Sequence, residues 1–385
     1  MACEQLTRLG DVIELEDVKR EPISSRDRKD RKGSYPYYGA QGIVDYLDDY
    51  TYEGDYLLVA EDGENLRSRK NPIANAASGK FRVNNHAHVI AESEKCNLVF
   101  LRHLLNMTDI SAYVTGSTQP KLSQSNLCAM KLPLPSMAEQ NAIANVLSLF
   151  DRKIELNNQL NDYLANLLDA AFANSAKSGS KEFGLPEVVD ILSGGTPKTK
   201  NAEYWEDGRI PFFTPGDVTN SVYTLTTEKH ITDVGLDNCN SELYPVDTVF
   251  LTARGTVGKV AIAGRPMAMN QSCFAFRGKS IPQSVVFQII KNAVKTLRAK
   301  ANGATFAAIN TRDLKIETVA VPCNKEIAHY DESASKWLDL IRTNEEENLQ
   351  LSALRDILLP KLMSGEIDVS KVDLTQLTNN HLADC

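Results

Sequence analysis

Two segments of the chain place apolar and asparagine residues at the spacing of a long helix. Their positions step by three or four residues, and the two segments follow the same steps at an offset of 187 residues. This is the a/d pattern of a coiled coil, in which asparagine fixes register at some cost in stability. The pattern predicts two mutually paired helices of about 35 residues, or about 50 Å each, rather than two separate core helices. The predicted seam is Leu147, Phe150, Ile154, Asn157, Asn161 and Leu164, continuing to Leu167, with Ala334, Trp337, Ile341, Asn344, Asn348 and Leu351, continuing to Leu354.

Capping and breaking residues bound these helices. Ser136 and Glu139 have the spacing of a capping box, and Pro135 closes the extended segment before them. Pro360 and Gly365 are expected to end the second helix.

The region in front of each helix is strand-rich and interrupted by Gly and Pro. Short blocks recur in both regions, each with an apolar run that leads into Gly63 or Gly255. The recurring blocks are Tyr35–Tyr38 with Ile210–Phe213, Tyr52–Val59 with Tyr244–Leu251, and Asn85–Val89 with Asn270–Phe274. The sequence therefore predicts an α/β protein with two diverged copies of one domain. The predicted divisions are 1–135, 136–177 (first helix), 178–322, 323–366 (second helix) and a C-terminal tail 367–385.

Composition fits a globular chain with real cores. Of 385 residues 42% are hydrophobic and 24% charged, the net charge is −8, and the pI is near 5.4. No run approaches the roughly 18 apolar residues of a membrane helix, and the start lacks signal-peptide features, so no membrane partner is expected. Seven scattered cysteines without C-x-x-C favour reduced thiols and a cytoplasmic protein. The acidic balance argues mildly against nucleic acid as a partner.

Catalytic motifs are largely missing. The chain has no P-loop, nucleophile elbow, zincin or dinucleotide-binding motif. His86 and His88 alone are a weak metal site, so we predict no metal and no cofactor in this chain. An enzyme of unrecognised mechanism remains the least favoured class.

Basic and amide residues lie in polar loops despite the acidic total. Seven basic residues fall between Lys19 and Lys32, and seven of the thirteen tyrosines fall in 35–56. Such loops suit phosphate contacts through Lys and Arg and base contacts through Asn, Gln and Arg. Solvated loops are the alternative for each residue. The candidate DNA contacts are Lys80, Arg82, Asn85, His86, Lys198, Lys200, Arg254, Lys259, Asn270 and Gln271.

Over nearly its full length the chain resembles the specificity (S) subunits of type I restriction-modification systems. The order of the motifs, present twice and followed each time by a long helix, carries the resemblance. They are Gly54–Leu58, Gly79–His88, Leu132–Pro135 with Glu139–Gln140, Ser193–Pro197, Ile210–Pro211, Asn270–Ser272 and Leu358–Leu362. The second copy departs from the first, since Gly194-Gly195-Thr196-Pro197 has no counterpart before Tyr35 and Ile327 replaces Gln140.

The resemblance implies that 1–135 and 178–322 are target recognition domains that read the two halves of a bipartite double-stranded DNA sequence. The helices would be antiparallel spacers that dock two methyltransferase subunits, and restriction subunits would join the complex. Catalysis, with S-adenosylmethionine, ATP and magnesium, would then belong to these partners. The alternative is a non-DNA interaction scaffold built on a coiled coil, which the acidic pI favours. An electrophoretic shift with the methyltransferase present would separate the two.

Overall fold

A computed structural model of the protein describes residues 6–300 and 308–369. The chain divides into two compact units, Met1–Arg152 with Leu351–Cys385, and Lys153–Gln350. Both divisions fall inside the long helices. The predicted tail 367–385 lies outside the described residues from position 370 onward.

Unit 1 is built on a six-stranded mixed sheet. Its strands are β1 (Leu6–Arg8), β2 (Glu14–Leu15), β3 (Lys32–Gly39), β4 (Gly42–Leu47), β5 (Tyr52–Ala60), β6 (Ala74–Val83), β7 (Ala87–Ala91) and β8 (Lys131–Pro133), and its helices are α1 (Asn65–Ser68), α2 (Leu98–Met107), α3 (Gln124–Ala129) and the first part of α4 (Met137–Lys177). The sheet order is β2-β7-β5-β6-β3-β4, and β1 pairs with β8. Only β3 and β6 run parallel among these pairs.

The core of unit 1 lies between this sheet and its helices. Phe100 and Leu104 of α2 are buried with Leu57 of β5 and with Leu147 and Phe150 of α4. Periodic apolar residues on a helix bury one face in this way, and that burial stabilises the helix. The predicted seam residues Leu147 and Phe150 therefore pack into this core.

Unit 2 contains the second domain. Its elements are β9 (Ser180–Gly184), α5 (Leu185–Val188), β10 (Val189–Ser193), β11 (Ile210–Phe213), β12 (Tyr223–Thr224), β13 (Lys229–Ile231), α6 (Asp233–Asp237), β14 (Val249–Thr252), β15 (Val260–Ala263), β16 (Ala268–Met269), β17 (Cys273–Gly278), α7 (Gln283–Lys300), α8 (Thr311–Ile316), β18 (Thr318–Pro322) and α9 (Asn324–Met363). The sheets have the orders β10-β17-β14-β15-β12, β13-β11-β16 and β9-β18.

The two domains share one topology, which confirms the predicted duplication. In each, the central strand (β5 or β14) is antiparallel to both neighbours, and an early strand (β2 or β10) forms the edge. The two short β-ladders match as well, since β1 pairs with β8 and β9 pairs with β18. The predicted α/β fold class with two long helices is therefore correct.

The long helices contain about 40 residues each, more than the sequence pattern predicts. They have 41 and 40 residues. The predicted capping box is confirmed, because Ser136 N donates to Glu139 Oε2 at 3.0 Å and Glu139 N donates to Ser136 Oγ at 3.4 Å. The expected boundary is right for Gly365, which follows the end of the helix with φ 70°, and wrong for Pro360, which lies inside α9. Proline removes one backbone hydrogen bond, and the helix continues for three more residues to Met363.

Within unit 2 the two helices run antiparallel. Asn157 Nδ2 donates to Asn348 Oδ1 at 2.9 Å, and Asn344 Nδ2 donates to Asn161 Oδ1 at 2.8 Å. Residue numbers therefore increase along α4 in the direction in which they decrease along α9. Lys153 adds an ion pair across the seam to Glu347, at 3.0 Å.

The remaining seam positions vary in burial. Leu164, Ala334 and Ile341 are buried, whereas Ile154, Trp337, Asn348 and Leu351 are partly buried. Leu354 is exposed, so the seam does not extend to it as the pattern predicts. Leu168 and Leu338 are buried instead, because the helices also contribute to the domain core.

Candidate nucleic-acid interface

Three segments of unit 1 meet just after the central strand. Glu61 N donates to the carbonyl of His86 at 2.8 Å, and Leu122 N donates to the carbonyl of Glu61 at 2.8 Å. Asn84 Oδ1 accepts from His86 N at 2.8 Å and closes the loop between β6 and β7. The next residue along, Asp62, is hydrogen-bonded through Oδ2 to His86 Nδ1 at 2.7 Å.

Unit 2 repeats the same frame at equivalent positions. Ala253 N donates to the carbonyl of Ser272 at 2.7 Å, and Ile309 N donates to the carbonyl of Ala253 at 2.9 Å. Asn270 Oδ1 accepts from Ser272 N at 3.0 Å, as Asn84 does in unit 1. These backbone bonds align the two sites residue by residue.

The alignment corrects the pairing of the repeats by one residue. The sequence pattern pairs Asn85 with Asn270, but the structure pairs Asn84 with Asn270, because each N–H donates to the aligned strand at 3.0 Å and each side chain closes the turn. Asn85 and Gln271 are then equivalent, and both are exposed at the tip of the loop. Asn270 is a turn residue whose side-chain oxygen already accepts from Ser272 N, so a base contact through Asn270 stays a prediction.

The shared frame presents opposite charges in the two domains. Asp62 follows the frame residue in unit 1, and Arg254 occupies the equivalent place in unit 2. Asp62 is paired with His86, whereas Arg254 is exposed and has no ion-pair partner among the described residues. The sequence contains a signal for this pair, because each residue directly precedes the glycine that ends the apolar run. Gly63 and Gly255 both have positive φ, at 108° and 75°.

Arg82 does not fit the predicted role of a DNA contact. Its side chain is buried, with the residue 6% exposed. Nε and Nη2 donate to Asp49 at 2.6 and 2.7 Å, and Nη1 donates to Glu21. Desolvation opposes the charge, but these hydrogen bonds outweigh it and raise the pKa of Arg82. The guanidinium is a structural clamp, which sequence spacing alone does not reveal.

Lys80 is exposed beside an aromatic pair. Its ammonium lies 4.6 Å from the ring centroid of Tyr50, which in turn lies 5.1 Å from the ring of Tyr35. A hydrogen bond with Tyr50 and the charge of Glu53, 3.8 Å away, raise the pKa of Lys80. An exposed cation next to tyrosines can contact phosphate or stack against a base.

The basic run between Lys19 and Lys32 is largely held by acidic residues. Arg28 and Lys32 both pair with Asp45, and Arg31 pairs with Asp48 and Asp49. This run therefore contributes less free positive charge than its sequence suggests.

In unit 2 the loop of Gly194 and Thr196 lies against the equivalent tip. A Cβ on Gly194 would come within 2.2 Å of the carbonyl oxygen of Asn270, so only glycine fits there. The Thr196 hydroxyl donates to Gln271 Oε1. Thus the structure brings this loop together with Asn270 and Gln271.

The other predicted cations are exposed in separate loops. Lys198 and Lys200 follow Thr196, and the carbonyl of Lys198 accepts from Trp205 Nε1 at 3.2 Å. Lys259 is exposed at the far end of the Arg254 turn, where its backbone N–H donates to Thr252 Oγ1 at 3.0 Å. No ion pair is recorded for these three lysines within the described ranges.

The two histidines considered as metal ligands have other partners. His88 is buried, with Nδ1 2.7 Å from Asp17 Oδ2 and Nε2 2.8 Å from the carbonyl of Leu122. Burial opposes ionisation of Asp17, but the His88 contact and the Val89 N–H lower the pKa of its carboxyl. Across residues 6–300 and 308–369, no three His, Cys, Asp or Glu side chains are grouped to hold a metal ion.

A search of the described helices finds no segment with the length and apolarity needed to cross a bilayer.

Comparison with known proteins finds similarity to specificity subunits of type I restriction enzymes. The sequence model of the type I restriction modification DNA specificity domain matches twice, at residues 5–166 and 177–350. The HindI specificity subunit of Haemophilus influenzae is 21% identical over 88% of this chain and 89% of its own length. A putative type I specificity subunit of the same organism is 37% identical over 36% of this chain, and MjaIX from Methanocaldococcus jannaschii is 30% identical over 43%. These two matches span only 35% and 39% of those relatives' lengths.

The fold also matches a solved structure. The crystal structure of the S subunit of a type I system from M. genitalium aligns with a TM-score of 0.56 at 17% identity, over 93% of this chain and 95% of that one. At this identity the likeness concerns the fold. The two domain matches cover most of the sequence, and the chain therefore belongs to the type I restriction modification DNA specificity family.

Proposed function

We propose that this chain is the DNA-reading subunit of a type I restriction-modification complex, in which each domain reads one half of a bipartite duplex target. The observation that carries the proposal is the shared loop frame with unlike residues at equivalent positions. A common frame that presents Asp62 and Asn85 in one copy and Arg254 and Gln271 in the other suits the reading of two different half-sites.

The chemistry of each tip suggests what it reads. Arg254 has the planar fork that pairs with O6 and N7 of guanine, and each good two-point contact of this kind discriminates by about 1–3 kcal/mol. Asp62 can accept from the amino group of cytosine. The exposed amides of Asn85 and Gln271 can contact base edges, with the Gln271 oxygen already engaged by Thr196. Lys80 supplies a phosphate contact, which positions the protein without reading sequence.

The long helices offer a surface for the methyltransferase subunits. On α4 the side chains of Leu156, Leu160 and Tyr163 are exposed, at 52%, 40% and 61%. Their spacing of four and three residues puts them on one stripe of the helix. Exposed apolar stripes of this kind mark protein contacts, and two methyltransferase subunits, later joined by restriction subunits, are the partners we assign.

Catalysis is assigned to those partners in this proposal. The methyltransferases would use S-adenosylmethionine, and the restriction subunits would use ATP and magnesium. The chain itself would contribute recognition and assembly in the cytoplasm.

The proposal is tested by methylation mapping. A host genome carrying the methyltransferase partner should show a bipartite methylated sequence with this chain and none without it. Arg254→Ala should relax one position of one half-site while the other half-site is unchanged. Arg312→Ala, an exposed arginine on α8, is the matched control and should leave the motif intact.

Two results would overturn the proposal. The first is an identical methylation pattern with and without the chain. The second is retention of the whole motif by Arg254→Ala together with Asp62→Ala.

Docking is tested separately. Tyr163→Asp should abolish co-purification with the methyltransferase. Unchanged co-purification would show that the exposed stripe of α4 does not contact the methyltransferase.

A further inference from the structure

A cleft of about 510 Å³ opens in unit 1 among β6, α2 and the long helices. It is separate from every residue of the loop frame, none of which lines it. Its lining is unusually basic and includes the side chains of Arg69, Arg102, His103, Met107, Arg355 and Leu359.

One carboxylate holds three of these basic side chains. Asp151 Oδ2 accepts from Arg102 and lies 2.9 Å from His103 Nε2, and Asp151 Oδ1 accepts from Arg355 Nη1 at 3.0 Å. Burial opposes ionisation, but the His103 hydrogen bond and the nearby charges outweigh it, and the pKa of Asp151 falls to about 2. Asp356, the other acid in the cleft, is largely exposed and pairs with Arg355 Nη2 at 3.0 Å. The lining thus holds four basic side chains, Arg69, Lys70, Arg102 and Arg355, against two carboxylates, which leaves an excess of positive charge.

Arg69 lines this cleft, and one of its donors has no partner in the described part of the chain. Its Nη2 donates to the carbonyls of Leu105 and Asn106 at 3.1 and 2.6 Å, at the end of α2. Its Nη1 is buried and has no hydrogen-bond partner within the described structure. The backbone of Arg69 is left-handed, with φ 52°, which is costly for a residue with a side chain and recurs at binding sites. Burial lowers the pKa of this guanidinium, and an anion in contact with it would oppose that effect.

The fold itself does not require this charge cluster. At the repeat offset, Asp151 and Arg355 correspond to Leu338 and Leu168 of the second copy, and both leucines are buried. The same junction is thus built from apolar residues in one copy and from charged residues in the other. A purely structural role would not explain the excess cations or the unused donor.

An apolar side completes the cleft. Met107 is 43% exposed at its rim, and Leu359 is buried behind it. A cleft of this size falls within the range of about 300–1,000 Å³ typical of small-molecule sites. We propose that this cleft binds a small phosphorylated molecule of nucleotide size. Its phosphate would lie among Arg69, Arg102 and Arg355, and its organic part would lie against Met107.

The test is calorimetric titration of the full chain with inorganic phosphate, AMP and adenosine. AMP should bind more tightly than phosphate, because the apolar side adds contacts, and adenosine should not bind. Asn75→Asp adds a negative charge to the lining without touching the Asp151 cluster, and it should weaken AMP binding about tenfold or more. Arg69→Gln should weaken it similarly. Asn166→Asp, the same change on the exposed face of α4, should leave it unchanged.

Three outcomes would overturn the proposal. They are no binding of phosphate or AMP, equal binding of adenosine and AMP, and AMP binding that Asn75→Asp and Arg69→Gln leave unaltered. A fourth outcome would also overturn it: if a duplex oligonucleotide displaces AMP from the wild type and binds the Asn75→Asp variant more weakly, the cleft is a DNA phosphate contact and not a small-molecule site. Circular dichroism of each variant confirms that it is folded before titration.

Discussion

Glu345 of α9 is a buried acid whose neutralisation should stabilise unit 2 in a pH-dependent way. The residue is 8% exposed, and its Oε1 accepts from Val222 N at 3.2 Å. No cation lies within ion-pair distance of it among the described residues. Burial, only partly offset by the backbone N–H groups of Tyr223 and Val222, raises the pKa of Glu345 from 4.5 to about 7.

The direction of the pH effect follows from this raised pKa. Below about pH 4.5 the carboxyl is protonated in the folded and unfolded states alike, so its titration takes nothing from the free energy of unfolding. Between about pH 4.5 and 7 only the folded state keeps the proton, and the free energy of unfolding falls as the pH rises. The loss amounts to about 3 kcal/mol once the pH exceeds 7, at about 1.4 kcal/mol per pKa unit.

Glu345→Gln keeps an acceptor for Val222 N and removes the titration. The variant should therefore gain stability at pH 8 and gain about 2 kcal/mol less at pH 5. Urea unfolding followed by tryptophan fluorescence measures this directly, because both tryptophans of the chain, Trp205 and Trp337, lie in unit 2. Glu332→Gln on the exposed face of α9 should have no such pH dependence. An equal gain at pH 5 and pH 8 would refute the assignment of the raised pKa to Glu345.

Three further predictions concern the seam, the clamp and the helix length. Asn344→Leu should lower the free energy of unfolding by about 1–3 kcal/mol, because it leaves the buried side-chain oxygen of Asn161 without its donor. Adding Asn161→Leu should recover most of that loss. Urea unfolding of the single and double variants measures this, and additive effects of the two substitutions would contradict the pairing. Arg82→Met should destabilise unit 1 without changing the salt dependence of DNA binding by the assembled complex. Lys80→Ala should reduce the slope of binding affinity against salt by about one unit, with little effect on stability. A changed salt slope in Arg82→Met, with an unchanged one in Lys80→Ala, would contradict the structure. Insertion of one heptad into both helices should lengthen the unspecified gap of the target by about three base pairs, since seven residues add about 10 Å. Methylation mapping measures the gap, and an unchanged gap would refute a spacer role for the helices.

The features that depend on long sequence periods could be predicted well. The two long helices and the duplication follow from an apolar pattern that repeats over dozens of positions, so one irregular residue does not obscure them. Pro360 lies inside α9 and not at its end, because a proline in the last turn leaves little helix beyond it to disrupt. The seam was extended too far, to Leu354, because the sequence does not show where a helix turns its apolar face from its partner to a domain core.

Single polar positions could not be assigned from the sequence. The pairing of Asn85 with Asn270 was off by one residue, because two asparagines stand side by side at positions 84 and 85. Only the backbone hydrogen bonds show that Asn84 closes the turn and that Asn85 lies at its tip. Arg82 looks like a free cation in the chain, but its partners Asp49 and Glu21 lie 33 and 61 residues away. The Asp151 cluster joins side chains from separate helices, so no local spacing announces it.

The antiparallel seam explains how two helices with the same repeat pattern can pair with each other. At the repeat offset, the pair Asn157 and Asn348 maps onto the pair Asn344 and Asn161, so the two hydrogen-bonded levels are related by a pseudo-twofold axis. A slip of one heptad would place these amides opposite apolar side chains and leave each without a partner, at a cost of about 1–3 kcal/mol per buried group. The apolar positions pay no such penalty, because leucine and isoleucine can repack against one another after a slip. The four asparagines therefore fix the register of α4 against α9, and any lengthened or exchanged helix must keep them in matched pairs.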